Sequence, residues 1–154
     1  MTGRESGGAA PRTPRVSGRA RTRTVRLGAD VHAAGEARTF VAATLRRWGL
    51  GEAHTGDVLL AVSELVSNAV QHGSGRPRLQ LSLVEGRLEI RVRDDGVRRA
   101  QRRAHDLLAD RGRGLQIVAT VADTWGQRSD GDGKWVWAVF TVAGADPSEG
   151  EPAS

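Results

Sequence analysis

Glu64, Asn68 and His72 recur every four residues in the run Ala-Val-Ser-Glu-Leu-Val-Ser-Asn-Ala-Val-Gln-His-Gly, residues 61–73. On an α-helix this spacing stacks a carboxylate, an amide and an imidazole along one stripe. The carboxylate can accept a proton, and the amide oxygen can ligate a hard cation such as Mg²⁺. Valine, leucine and alanine at 58, 59, 62, 65, 66, 69 and 70 follow a period near 3.6, so the polar stripe borders an apolar face. By itself the Glu-x-x-x-Asn spacing also suits a polar edge bathed in water. Two motifs further along weight the chemical reading. Val92-Arg93-Asp94-Asp95-Gly96 places a carboxylate at the end of an alternating strand. Gly112-Arg113-Gly114 opens a helix and offers backbone N–H groups and a positive dipole end to an anion. The arginine-rich segment between these two motifs can close over a polyanion. A carboxylate for a base edge, an N–H nest for phosphates and an amide oxygen for Mg²⁺ together make a nucleotide site.

Several elements must bring these groups together. Arg23–Leu27 alternates and reads as an edge strand. Asp30 is placed to cap a helix from about Val31 to Trp48, with Val31, Ala34, Ala37, Val41, Leu45 and Trp48 on its apolar face and Gly49 and Gly51 at its end. The central helix runs from about Ala53 to Gln71 and stops at Gly73-Ser74-Gly75. Leu79, Leu81 and Leu83, then Leu88, Ile90 and Val92, alternate on either side of Glu85-Gly86, the pattern of a hairpin with one buried face. Residues 97–113 carry six arginines and few apolar positions, and read as an exposed segment. A short helix follows from Leu115 to about Ala122, with Leu115, Val118, Ala119 and Ala122 inward. Asp123–Arg128 and Lys134–Val142 form a second hairpin, with Val136, Ala138, Phe140 and Val142 facing the core. Helices alternating with antiparallel hairpins predict an α+β fold: a two-layer sandwich of one mixed, mostly antiparallel sheet with helices on one face.

Composition bounds what the chain can be. Its 154 residues suffice for one domain with a real core, and the lack of cysteine excludes disulfides and thiolate metal sites. No run approaches the ~18 consecutive apolar residues of a membrane span, and the first thirty residues have no apolar core of a signal peptide. The expected location is therefore cytoplasmic. The basic residues are 22 arginines and a single lysine, Lys134, a bias suggesting a GC-rich bacterial genome. The net charge of +5 is carried by residues 1–26, with seven arginines against one glutamate; the remainder sums to −1. The expected organisation is a disordered Arg/Gly/Pro-rich tail over 1–22, one folded domain over 23–143 and a frayed acidic end over 144–154. Since the basic excess sits in a tail rather than on a folded face, nucleic acid is the minor reading.

With these motifs in order, the chain resembles the GHKL ATPase fold shared by gyrase, Hsp90, histidine kinases and MutL. Within it, the small bacterial anti-sigma-factor serine/threonine kinases are the most similar. The resemblance spans about residues 25–142. Glu64-Leu-Val-Ser-Asn68-Ala-Val-Gln-His72-Gly73 is similar to the family's N box, with the His-Gly ending of the anti-sigma branch. Asp94-Asp95-Gly96 resembles the first glycine box and Gly112-Arg113-Gly114-Leu115 the second. The resemblance implies an ATP and Mg²⁺ site. Glu64 would be the general base, and Asn68 the Mg²⁺ ligand. His72 would belong to the nucleotide site, Asp94 would accept a hydrogen bond from the adenine amino group, and Gly96 would let the base approach the backbone. Gly112 and Gly114 would contact the phosphates, and Arg111 or Arg113 would meet the γ-phosphate. The chain departs from the family pattern in three places. Val97-Arg98 follow Gly96 where a further glycine is usual, the segment before Gly112 is short, and Lys134-Trp135 stand near Gly133 where many relatives carry a threonine beside the adenine.

Two functions follow from the resemblance. One is a Mg-ATP-dependent serine/threonine kinase that phosphorylates a small antagonist protein and sequesters a sigma factor. The other is a non-catalytic ATP-binding regulator that acts by protein binding alone. The same resemblance implies a homodimer, with the Arg23–Leu27 strand as its seam. Without a preceding helix that carries a phospho-accepting histidine, or a following transducer domain, the sequence is not expected to be a histidine kinase or a gyrase- or Hsp90-like machine.

Overall fold

The computed structural model describes residues 20–73, 75–95, 115–131 and 133–142. In chain order these form β1 (Arg21–Arg26), α1 (Ala33–Arg47), α2 (Thr55–His72), β2 (Arg78–Val84), β3 (Arg87–Asp94), α3 (Gln116–Val121), β4 (Thr124–Asp130) and β5 (Gly133–Thr141). The expected tails, apart from residues 20–22, and the segment carrying Gly96, Arg111, Gly112, Arg113 and Gly114 lie outside the described residues.

The five strands form one sheet in the order β1-β2-β3-β5-β4, and every described pairing is antiparallel. The fold is α+β as expected, but the described sheet is wholly antiparallel rather than mixed. Two of the four pairings, β2–β3 and β4–β5, are hairpins, which a tight turn closes only in the antiparallel sense. At Glu85-Gly86 both residues have positive φ, 47° and 81°, the two-residue geometry whose twist matches the flanking strands.

Strand alternation divides the sheet into two faces. Leu79, Leu81 and Leu83 of β2, Leu88, Ile90 and Val92 of β3, and Val136, Ala138 and Phe140 of β5 are buried on the helix-covered face. Against them lie Val58, Ala61, Val62, Leu65, Val66 and Ala69 of α2 and Ala37, Val41 and Leu45 of α1. Burying each such aliphatic side chain contributes about 1.5–3 kcal/mol, so this layer holds the fold together. On the opposite face Trp137 and Val139 are also buried, at 6% and 5% exposure, although their alternation set them apart from the core. Trp137 lies across Gly126 of β4, its register partner, whose missing side chain leaves room for the indole. Trp135 on the same face has the guanidinium groups of Arg91 and Arg93 stacked over it at 4.7 and 5.6 Å.

The helix boundaries differ by a few residues from the sequence reading. Asp30 caps the turn that precedes α1, its Oδ1 accepting the His32 N–H at 2.9 Å, so the helix itself starts at Ala33. Val31 is consequently 84% exposed rather than part of the apolar face. At the other end the Gly49 N–H donates to Arg46 O and the Leu50 N–H to Leu45 O, with Gly49 at φ 76°. This pair of bonds closes the last carbonyls and returns Leu50 to the core. α3 is shorter than expected, six residues, with Leu115 and Val118 inward but Ala119 exposed. β1 starts at Arg21, two residues before the expected strand.

Candidate nucleotide site

α2 carries the stripe of Glu64, Asn68 and His72 in register, as its 18 residues are helical throughout. At about 1.5 Å per residue the three side chains rise ~6 Å at each step along the helix. Burial increases along the stripe: Glu64 is half-buried, Asn68 is 7% exposed and His72 is 2% exposed. The stripe therefore runs from the rim of the domain into its interior. Glu64 keeps part of its surface open, whereas His72 is part of the packed interior at the C-terminal end of α2. Arg38 of α1 donates to Ser63 Oγ at 3.0 Å, and this hydroxyl donates to Leu59 O, ties that set α2 against α1 next to Glu64.

Asp94 is the last residue of β3 and shares the helix-covered face with Leu88, Ile90 and Val92, which explains its 3% exposure. Two glycines enclose it. A Cβ built on Gly73, just past α2, would fall 2.8 Å from Asp94 Cβ and 2.9 Å from its Cγ. A Cβ built on Gly133, the first residue of β5, would fall 2.5 Å from the Asp94 carbonyl oxygen and 2.7 Å from Arg93 Nη2. The end of the Glu64–His72 helix thus lies directly on the carboxylate that the sequence had placed on a separate strand. Lys134 faces Asp94 across the β3–β5 ladder. The sequence pattern marks Gly73 only as a helix stop. The contact of Gly73 with Asp94 depends on how α2 packs on the sheet, and that of Gly133 on strand register, neither of which a local motif encodes.

Of the expected site residues, Glu64, Asn68, His72 and Asp94 fall on described elements, and the structure brings Asn68, His72 and Asp94 to the same end of the α2–β3 layer. A carboxylate at a strand end packed against Gly73 can accept a hydrogen bond from an amine of a flat ligand. The donor set also fits a metal carried in by phosphates. Among the described residues no three His, Cys, Asp or Glu side chains converge, and Mg²⁺ ordinarily takes one or two protein oxygens plus substrate phosphates and waters. A separate hollow, lined by Leu45, Arg46, Leu50, Glu52 and Thr55, lies at the opposite end of α2, about 25 Å along the helix from His72. No described helix is long and apolar enough to cross a membrane.

Comparison with known proteins gives the class to which this fold belongs. The chain belongs to the histidine kinase-like ATPase domain family, whose profile matches residues 27–140. Among solved structures it is similar to the RsbU and RsbW domains of Rv1364c from Mycobacterium tuberculosis, with a TM-score of 0.64 and 20% identity. That match covers 79% of this chain and 32% of the other, so this chain spans about a third of its neighbour's length. No curated protein matches the chain by sequence.

Proposed function

We propose that the protein binds Mg-ATP at the α2–β3 end of the domain and works as a regulator of the anti-sigma-factor type. The observation that carries this reading is the burial of Asp94 against Gly73, at the end of the helix that bears Glu64 and Asn68. Asp94 accepts a hydrogen bond from the adenine amine, and Asn68 holds Mg²⁺ through its side-chain oxygen. Glu64, at the more open end of the stripe, orients or deprotonates an attacking hydroxyl. His72, at the buried C-terminal end of α2, belongs to the same nucleotide site. Gly96, Arg111, Gly112, Arg113 and Gly114 complete the base and phosphate contacts. Bound ATP supplies the phosphoryl group, and the acceptor is a serine or threonine of a small antagonist protein. A sigma factor is the second partner. Support for these partners comes from the His-Gly ending of the N-box-like run and from the fold shared with the RsbW-containing protein.

The test is calorimetric titration of ATP and ADP into wild type and Asp94→Asn. Loss of a buried, charge-assisted hydrogen bond costs roughly 1.5–3 kcal/mol, so the variant is expected to bind both nucleotides about ten- to a hundredfold more weakly. Equal affinities in the two proteins would remove Asp94 from the site. The departures at Val97-Arg98 and Lys134-Trp135 keep a second reading in play, a regulator that binds ATP without transferring phosphate. Incubation with γ-labelled ATP and candidate partners separates the two readings.

A further inference from the structure

Lys134 has so far been given no role of its own, yet its place in the ladder is specific. It is the register partner of Asp94. Val136, Ala138 and Phe140, two, four and six residues along β5, are buried in the core, so alternation puts Lys134 on the same face as Asp94. Side chains directly opposite on neighbouring antiparallel strands start about 4.5–5.5 Å apart at Cβ. Gly133, immediately before it, contributes no side chain and lies flat on the Asp94 carbonyl. Lys134 is half-buried, and it is the only lysine in the chain, whose other 22 basic residues are arginines. Its ammonium is a compact point charge with three donors on a flexible stem.

A carboxylate only accepts hydrogen bonds and an ammonium only donates them. Side by side at a strand end, they present an acceptor and a donor to one edge of a ligand. The Watson–Crick edge of adenine carries the complement, the N6 amine as donor and N1 as acceptor. Guanine presents O6 as acceptor and N1–H as donor, the reverse order. We propose that Lys134 is a specificity-determining residue of the nucleotide site, donating to N1 of adenine while Asp94 accepts from N6. This inference rests on the Asp94 reading above, and the two can fail separately.

The test compares binding of ATP, GTP and 1-deaza-ATP, in which N1 is replaced by C–H while the N6 amine is kept. Titrations use wild type, Lys134→Met, which keeps the apolar stem, and Lys134→Arg, which keeps a donor. Wild type is expected to prefer ATP over 1-deaza-ATP by about tenfold or more, the usual effect of one hydrogen bond to a charged group. Lys134→Met is expected to lose that preference and to bind ATP as weakly as wild type binds 1-deaza-ATP, with discrimination against GTP reduced. Lys134→Arg is expected to retain part of the preference. If Lys134→Met weakens ATP and 1-deaza-ATP by the same factor, the lysine serves only as an ion-pair partner for Asp94 and the proposal is overturned. An unchanged ratio in that variant overturns it as well. Wild type that binds ATP and 1-deaza-ATP equally refutes it without any variant, so a Lys134→Met chain that fails to fold leaves the question decidable. Wild type that binds no nucleotide overturns both this inference and the Asp94 reading. Weakened ATP binding in Asp94→Asn, combined with equal ATP and 1-deaza-ATP affinities in wild type, overturns this one alone.

Discussion

Gly73 and Asp94 are in contact through the missing side chain of the first: a methyl group on Gly73 would lie 2.8 Å from Asp94 Cβ. The same methyl would lie 2.8 Å from the Ala69 carbonyl oxygen, so neither a rotamer change nor a small tilt of α2 relieves both contacts. Gly73→Ala is expected to destabilise the fold by roughly 1–3 kcal/mol, the usual cost of overpacking a tight interior. It is also expected to weaken ATP binding by displacing Asp94. Urea denaturation reads the first effect and calorimetry the second. Wild-type stability in this variant would show that the helix end gives way freely.

Glu64 and Asn68 are one helical turn apart, and the proposed function gives them separate roles that substitution should separate. Glu64→Gln is expected to keep ATP binding, because a base does not hold the ground-state nucleotide. Phosphoryl transfer to a partner should fall by ~10²–10⁴-fold. Asn68→Ala should lose Mg²⁺-dependent binding together with transfer. A wild-type protein that sequesters a partner yet transfers no label would leave the binding regulator as the function.

Gly126 and Trp137 form a packing pair on the face away from the helices. A Cβ on Gly126 would overlap the six-membered ring of Trp137. Gly126→Ala is expected to cost about 1–3 kcal/mol by forcing the indole off its seat. Nucleotide affinity should hold at temperatures where the variant is folded, since Asp94 and α2 lie on the other side of the sheet. The shift in thermal midpoint and the change in Trp fluorescence both report the displacement.

Glu89 gives the stability a pH dependence. Burial pushes its carboxyl above the ordinary value of 4.5, and the attraction of Arg91 and Arg87 only partly offsets this. A carboxyl raised in the folded state holds its proton more tightly there than in the unfolded chain. Its contribution is therefore most favourable below pH 4.5 and becomes a cost as pH rises through the folded-state value. Glu89→Gln is expected to raise the melting temperature at neutral pH, with the gain shrinking towards pH 4. A gain that grows on acidification would show that the arginines, not burial, dominate.

β1 pairs with β2 on one side only, so its other edge carries unsatisfied backbone groups among the described residues. If β1 is the seam of a homodimer, light scattering should return twice the chain mass at high protein concentration. A monomer mass there would remove the seam.

Much of this protein is legible without coordinates. The 3.6-residue period of Val58, Val62, Leu65 and Ala69 and the alternation of Leu79–Leu83 and Leu88–Val92 are short-range patterns, and they yield α2, β2 and β3 to within a few residues. The acceptor chemistry of Asp94 and the Glu64–Asn68 spacing are local in the same way. Three features are not local. Trp137 is buried because Gly126, eleven positions earlier, has no side chain to occupy the same volume. Val31 is exposed because Asp30 closes a turn instead of starting the helix. Lys134 meets Asp94 only because β5 enters the sheet beside β3 in a particular register, and a one-residue slip would turn every one of its side chains to the opposite face; Gly73 meets Asp94 only because α2 packs across the end of β3. Periodicity along the chain determines which elements form and which face each one buries. Which polar groups come to share one end of the domain is decided by strand order and register, because those depend on contacts between residues far apart in sequence.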